Sequence, residues 1–230
     1  YDNVVRSFRV DIEGSSILSP SLSLVESYDY LDGSKGTLHD KDAEGNYIAY
    51  DKIDGIFANK DARLYGTVVY PGSAFRSSPV QIQAGVATWE DGGYKLKVGD
   101  LASVYSDGET LTGADGPRDN DQYVSNTGFY IRKYENPQDG VRPSLASNWY
   151  PWFRLGEIYL NAAEAAFELE KPEAKDYINK VREVHGGFPA NSIQTLTNDI
   201  IRNERRVELA FEDHRYFDLK RWRIADKVWD

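Results

Sequence analysis

Neither cysteine nor methionine occurs in the 230 residues, and histidine appears only at His39, His185 and His214. The lack of cysteine excludes a disulfide framework, a thiolate metal site and a catalytic thiol; the lack of methionine excludes nothing. Long hydrophobic runs are missing too. With no stretch of about 18 apolar residues and no charged-then-apolar leader, the sequence holds neither a membrane-spanning helix nor a signal peptide, and a soluble chain is expected. It opens at Tyr1 inside polar, strand-like text, so we expect a truncated amino terminus. Positive charge is in deficit: 27 Lys and Arg stand against 37 Asp and Glu, a net charge of -10. Nucleic acid and anionic membranes are therefore disfavoured as partners, because phosphate recognition needs clustered cations.

What is present is 40% hydrophobic residues, enough for one substantial core or for one domain with a large appendage. Aromatic residues make up 13%, with 16 Tyr and 5 Trp. In a polar chain such amphipathic rings suit recognition surfaces as well as ordinary packing.

Residues 1–148 are rich in Gly, Ser, Asp and Asn. They read as a loop-rich region with a short helix and strands, the candidate ligand-binding face. Ser19 as cap and Pro20 at the first helical position predict a helix to about Tyr28. Strands are expected over 64–70, 94–98 and 129–134, and 107–126 forms a long polar loop.

Residues 149–230 differ, because apolar residues recur there at helical spacing while Gly and Pro nearly vanish. One helix is expected from about Trp152 to Leu169. A second follows Pro172 and ends at Gly186-Gly187, where a glycine can take the left-handed cap conformation. A third starts after Ser192 or Thr197 and continues to about Lys220, with Leu196, Ile200, Val207, Ala210, Phe211 and Phe217 along its apolar face. In the first, Trp152, Leu155, Gly156 and Tyr159 fit W-x2-L-G-x2-Y, the opening half of a tetratricopeptide repeat. Ala174 and Ile178, the candidates for the second half, lie too far along, so a divergent helical hairpin is expected rather than a regular array.

The charged run from Asn203 to Arg215 invites a catalytic reading. Glu204, Glu208 and Glu212 recur every fourth residue and share a helix face. A di-metal carboxylate site would add Glu-x-x-His motifs on facing helices, and none exists, so no metal or other cofactor is expected. Spacing of three suggests instead the pairs Arg205–Glu208, Glu212–Arg215 and Asp218–Arg221 along one helix. Where such arginines are partly buried, they can fork to carboxylates on neighbouring elements. No nucleophile elbow, P-loop, dinucleotide fingerprint or zinc-protease motif occurs.

The run from Trp152 to Ala165, the run from Glu204 to Glu212 and that from Arg215 to Trp222 closely resemble the SusD/RagB family. Upstream text agrees in order: Pro20 to Val25 with Asp32-Gly33, then Phe57 to Leu64, then Thr127 to Tyr134. The resemblance covers nearly the whole chain but only the C-terminal region of such proteins; their helical N-terminal half and its lipoprotein cysteine are absent. It implies a mainly α, SusD-like fold of tetratricopeptide-type helical hairpins with long irregular loops and a few short β-strands. It also implies a non-catalytic, lipid-anchored protein of the outer-membrane cell surface in Bacteroidetes-like bacteria. Such a protein binds oligosaccharides as partner of a SusC-like TonB-dependent transporter.

The charged signature reads as scaffold, so ligand contacts are expected on the loops. Sugars offer apolar C–H faces and polar rims, which suit aromatic platforms beside Asp, Asn or Arg. The candidates are Trp89 first, then Tyr94, Tyr105 and Tyr123, with Arg118 and Asn120 and the neighbouring Asp91, Asp107 and Asp119. Three alternatives stay open: the same scaffold binding peptides or another nutrient, a polysaccharide-degrading enzyme with two convergent carboxylates, and a tetratricopeptide-type scaffold for protein partners.

Overall fold

The structure, a computed structural model, describes Val5, Ser16 and residues 18–98, 111–117, 123–136 and 149–228. The chain divides into two compact units. One comprises 23–37, 59–67 and 150–230, and the other 1–22, 38–58 and 68–149.

The first unit is helical. Its α3 (Leu155–Glu168) and α4 (Ala174–Val181) form the expected hairpin, and α5 (Asn198–Glu208) closes over it. Leu160 and Ala163 of α3, Ile178 and Val181 of α4, and Ile201 of α5 meet Leu209 in one dry cluster, rimmed by Tyr159, Phe167 and Tyr177. Spacing of three and four puts these side chains on single helix faces, so burying them is what fixes the hairpin. After α4 the chain widens into one π-helical turn, Arg182–Gly186, and stops at Gly187 with φ 75°, the expected glycine cap. Thr197 caps α5, its hydroxyl accepting from Ile200 N at 3.3 Å. The expected long third helix is instead two: α5 ends at Glu208 and α6 (His214–Arg221) follows, with Phe211 and Asp213 left-handed between them. The break has a partner. Arg154 donates to the Glu208 carbonyl at 2.6 Å, satisfying a helix-terminal acceptor. A last short helix, α7 (Ala225–Val228), comes after it.

Two more expectations need correction. Over 64–70 the chain forms α2 (Ala62–Thr67) and only then the two-residue strand β1 (Val68–Val69). Asp61 overrides the apolar run, because its carboxylate accepts from Arg63 N at 2.9 Å and starts the helix as a cap does. The early helix is one turn, α1 (Leu22–Val25), rather than nine or ten residues. Beyond it the Ser27 hydroxyl donates to the Ser23 carbonyl at 2.7 Å, a local bond that competes with helix continuation. Lys60, enclosed, donates to the carbonyls of Tyr28 and Gly36 and lies 4.2 Å from the Tyr30 ring centre. It holds the 28–36 turn in place.

The second unit carries three antiparallel strand pairs: β1 with β6 (Tyr130–Ile131), β2 (Ala74–Phe75) with β3 (Ser78–Pro79), and β4 (Gly85–Glu90) with β5 (Gly93–Val98). A small cluster of Val5, Val69, Phe75, Val80, Ile82 and Tyr130 supports the first two pairs. The Tyr130 hydroxyl donates to the Asp115 carbonyl at 2.7 Å and accepts from Ser125 N at 3.1 Å, pinning two loops to β6. No helix of the described residues is long and apolar enough to cross a membrane.

Candidate functional site

The β4–β5 hairpin of the second unit carries two exposed rings. It turns through Asp91 and Gly92, at φ 52° and 80°; positive φ at both central residues is the turn whose twist matches paired strands. The register pairs Trp89 with Tyr94. Directly opposed residues of antiparallel strands share a face, so the rings meet edge to face with centroids 5.0 Å apart and planes at 79°. Trp89 stays 65% exposed and Tyr94 43%, so the contact orients the indole without covering it.

Alternation sends Thr88, Glu90, Lys95 and Lys97 to the other face. There Lys97 donates to Glu90 at 2.7 Å and the Thr88 hydroxyl to the same Oε1 at 3.0 Å, while Lys95 reaches Asp91 at 2.6 Å. The bond from Lys97, then that from Thr88, holds the Glu90 carboxyl below its ordinary range.

The structure thus brings together two of the rings singled out from sequence, with Tyr94 on the strand expected over 94–98 and Trp89 on a strand rather than on a loop. Tyr123 is half-buried ahead of β6, and among the described residues no ring contact joins it to them. Tyr105, Arg118 and Asn120, with Asp107 and Asp119, lie outside the described residues.

The acidic face of α5 belongs to the helical unit. Glu204, Glu208 and Glu212 are all buried, as are their cations Arg63 and Arg182. Arg63 forks to Asp61 at 2.5 and 2.9 Å, to Glu204 at 2.9 Å and to Glu208 at 3.1 Å. Arg182 pairs with Glu204, lies 3.6 Å from Asp29 and packs its guanidinium 3.7 Å from the Phe188 ring centre. Arg154 joins Glu208 to Glu212, meeting the latter at 2.8 and 2.9 Å. His185 Nδ1 is 2.8 Å from Glu208.

Two of the three pairings expected along one helix are therefore replaced. Arg205 donates to Asp218 at 3.0 Å and Asn161 at 2.6 Å rather than to Glu208, and Glu212 takes Arg154 rather than Arg215. Buried carboxylates need several donors each, which cations from other elements supply and an i,i+3 neighbour on the surface does not. Asp218–Arg221 forms as expected, at 2.7 Å. Sequence reasoning missed Arg63, Arg154, Arg182 and His185 as partners of this face, and Asp61 as a second anion for Arg63; the signal of the four partners was only that each lies beside an apolar helix position.

Burial alone pushes the Glu208 carboxyl up, but Arg63 and then Arg154 outweigh it and bring it down to about 2. A general acid needs the opposite displacement. The acceptor oxygens of the three glutamates are engaged, and among the described residues no group of three His, Asp or Glu is placed to hold a metal ion.

A family model described as the SusD family matches residues 2–230. Among curated proteins, SusD-like protein P2 of Formosa agariphila is 37% identical over 95 residues, 36% of this chain and 19% of that protein. SusD-like protein P25 of the same bacterium is 44% identical over 87 residues, 34% and 16% respectively. Among solved structures, a SusD-like protein from Bacteroides fragilis matches with a TM-score of 0.63 at 23% identity, over 98% of this chain and 40% of its own. A SusD-like carbohydrate binding protein from the same species matches with a TM-score of 0.64 at 25% identity, over 93% and 37%. The chain thus spans less than half the length of these relatives. With helical hairpins, few short strands and a family match over nearly every residue, the chain belongs to the SusD family.

Proposed function

We propose that this chain forms part of a non-catalytic glycan-binding protein of the bacterial cell surface. On this reading it is lipid-anchored at the outer membrane and hands oligosaccharides to a TonB-dependent transporter. Residues 1–148 supply the ligand face and 149–230 the scaffold. The observation that carries the reading is the exposed Trp89–Tyr94 pair on a braced hairpin: a flat apolar ring beside hydrogen-bonding groups suits the C–H face of a pyranose. Membership of the SusD family adds weight, since one solved relative is described as carbohydrate binding. The glutamates of α5, each held by arginines, support a structural rather than a catalytic role for this face.

Mobility of the full chain in gels containing polysaccharides, with mass analysis of the incubated sugar, tests both halves. Retardation without shortened products is expected. Released oligosaccharides, lost on replacing Glu204 or Glu208 without unfolding, would point to hydrolysis instead.

A second reading, a scaffold for protein partners, draws on Trp152, Phe153 and Leu155 at the start of α3, which are largely exposed. An apolar cluster of this kind is uncommon on a fully solvated surface. Copurification of the transporter that Trp152→Ser abolishes while gel retardation persists would separate this surface from sugar capture.

A further inference from the structure

The two faces of the β4–β5 hairpin differ in a way that bears on which glycans it can take. One face shows Ala87, Trp89 and Tyr94, with no charged side chain; the other holds Glu90, Lys95 and Lys97. Both lysines are engaged there, Lys97 with Glu90 and Lys95 with Asp91 and, at 3.8 Å, Glu90. Two cations and two anions cancel within the hairpin. The ring face thus gains no positive potential from its own strands, and the chain as a whole carries -10.

We infer that the hairpin selects neutral glycan chains and discriminates against those bearing uronate or sulfate. This rests on the glycan-binding reading and adds the ligand class. A carboxylate or sulfate is bound well where a guanidinium or ammonium is available to pair with it. Here the hairpin's own ammonium groups would first have to leave carboxylates, and the chain's net charge of -10 disfavours the approach of an anionic glycan. Stacking on an indole asks only for an apolar sugar face. Binding by this hairpin is accordingly insensitive to salt, since little charge is neutralised.

The test is affinity electrophoresis of the full chain in gels containing starch, galactomannan or xylan, against polygalacturonate, alginate and a sulfated galactan. At least one neutral gel retards it, with binding unchanged between low and moderate salt. Trp89→Ala weakens that retardation on the order of tenfold, the scale of one lost aromatic contact. Ala87→Lys, which places an unpaired ammonium two residues from Trp89 on the same face, brings measurable retardation by the anionic gels. Salt-sensitive retardation of the unaltered chain by an anionic gel, lost in Trp89→Ala, would overturn the inference while leaving glycan binding intact. Failure of all six gels would overturn both.

Discussion

Arg63, Arg154 and Arg182 hold Glu204, Glu208 and Glu212 where water scarcely reaches. Assembling such a set gains little over an apolar core of the same volume, but removing one member strands its partners. Glu204→Ala leaves Arg63 and Arg182 each short of an anion and is expected to cost about 3–5 kcal/mol in urea unfolding. Asp199→Ala, at an exposed carboxylate whose nearest cation is 3.8 Å away, is expected to change stability by about 0.5 kcal/mol or less. Acidity acts on the same groups. The Glu208 carboxyl lies at about 2 against an ordinary 4.5, so its folded form binds protons less readily than its unfolded form. Its stabilisation is full above about pH 5 and drains away as pH falls from 4.5 towards 2, amounting to roughly 3 kcal/mol. Unfolding free energies of wild type and Glu208→Gln, measured across that window, should converge as pH falls; curves that stay parallel would contradict the assignment.

At the scale of elements, Gly156 and Gly66 separate propensity from packing. Alanine in a helix is ordinarily favoured over glycine by about 1 kcal/mol, and at Gly66 an added Cβ meets nothing within 4 Å. Gly66→Ala should therefore raise the melting temperature. At Gly156 the Cβ would stand 2.5 Å from a Glu208 oxygen and 2.6 Å from an Arg154 nitrogen. Both are fixed by their ion pairs, so Gly156→Ala should lower the melting temperature despite the better helix former. The helical hairpin was legible beforehand because its apolar periodicity, Gly186-Gly187 and Thr197 are local signals. Elements decided by distant partners were not. Asp61 turned an apparent strand into α2, the Arg154 bond to Glu208 accompanies the break in the expected long helix, and β4 (Gly85–Glu90), short and without a long apolar run, was not singled out. Trp89 and Tyr94 could be picked by residue type, but their pairing needed the register.

For the whole molecule, the helical unit gathers residues 23–37, 59–67 and 150–230, so its charged core is completed by chain segments far apart in sequence. Arg63 finds Glu204 across 141 residues and Glu208 across 145. Ribosomes make proteins from the amino end, so Arg63, Arg154 and Arg182 all emerge before the glutamates that neutralise them. Chains cut short before residue 204 would leave Arg154 without Glu208 and Glu212, Arg63 with Asp61 alone and Arg182 with only Asp29, at 3.6 Å. They are expected to be protease-sensitive and to lack a cooperative thermal transition, whereas deletion of residues after 224 should preserve one. The α5 carboxylates act in effect as a completeness check: until residues 204–212 are synthesised, the arginines of this interior lack the anions that let them stay buried.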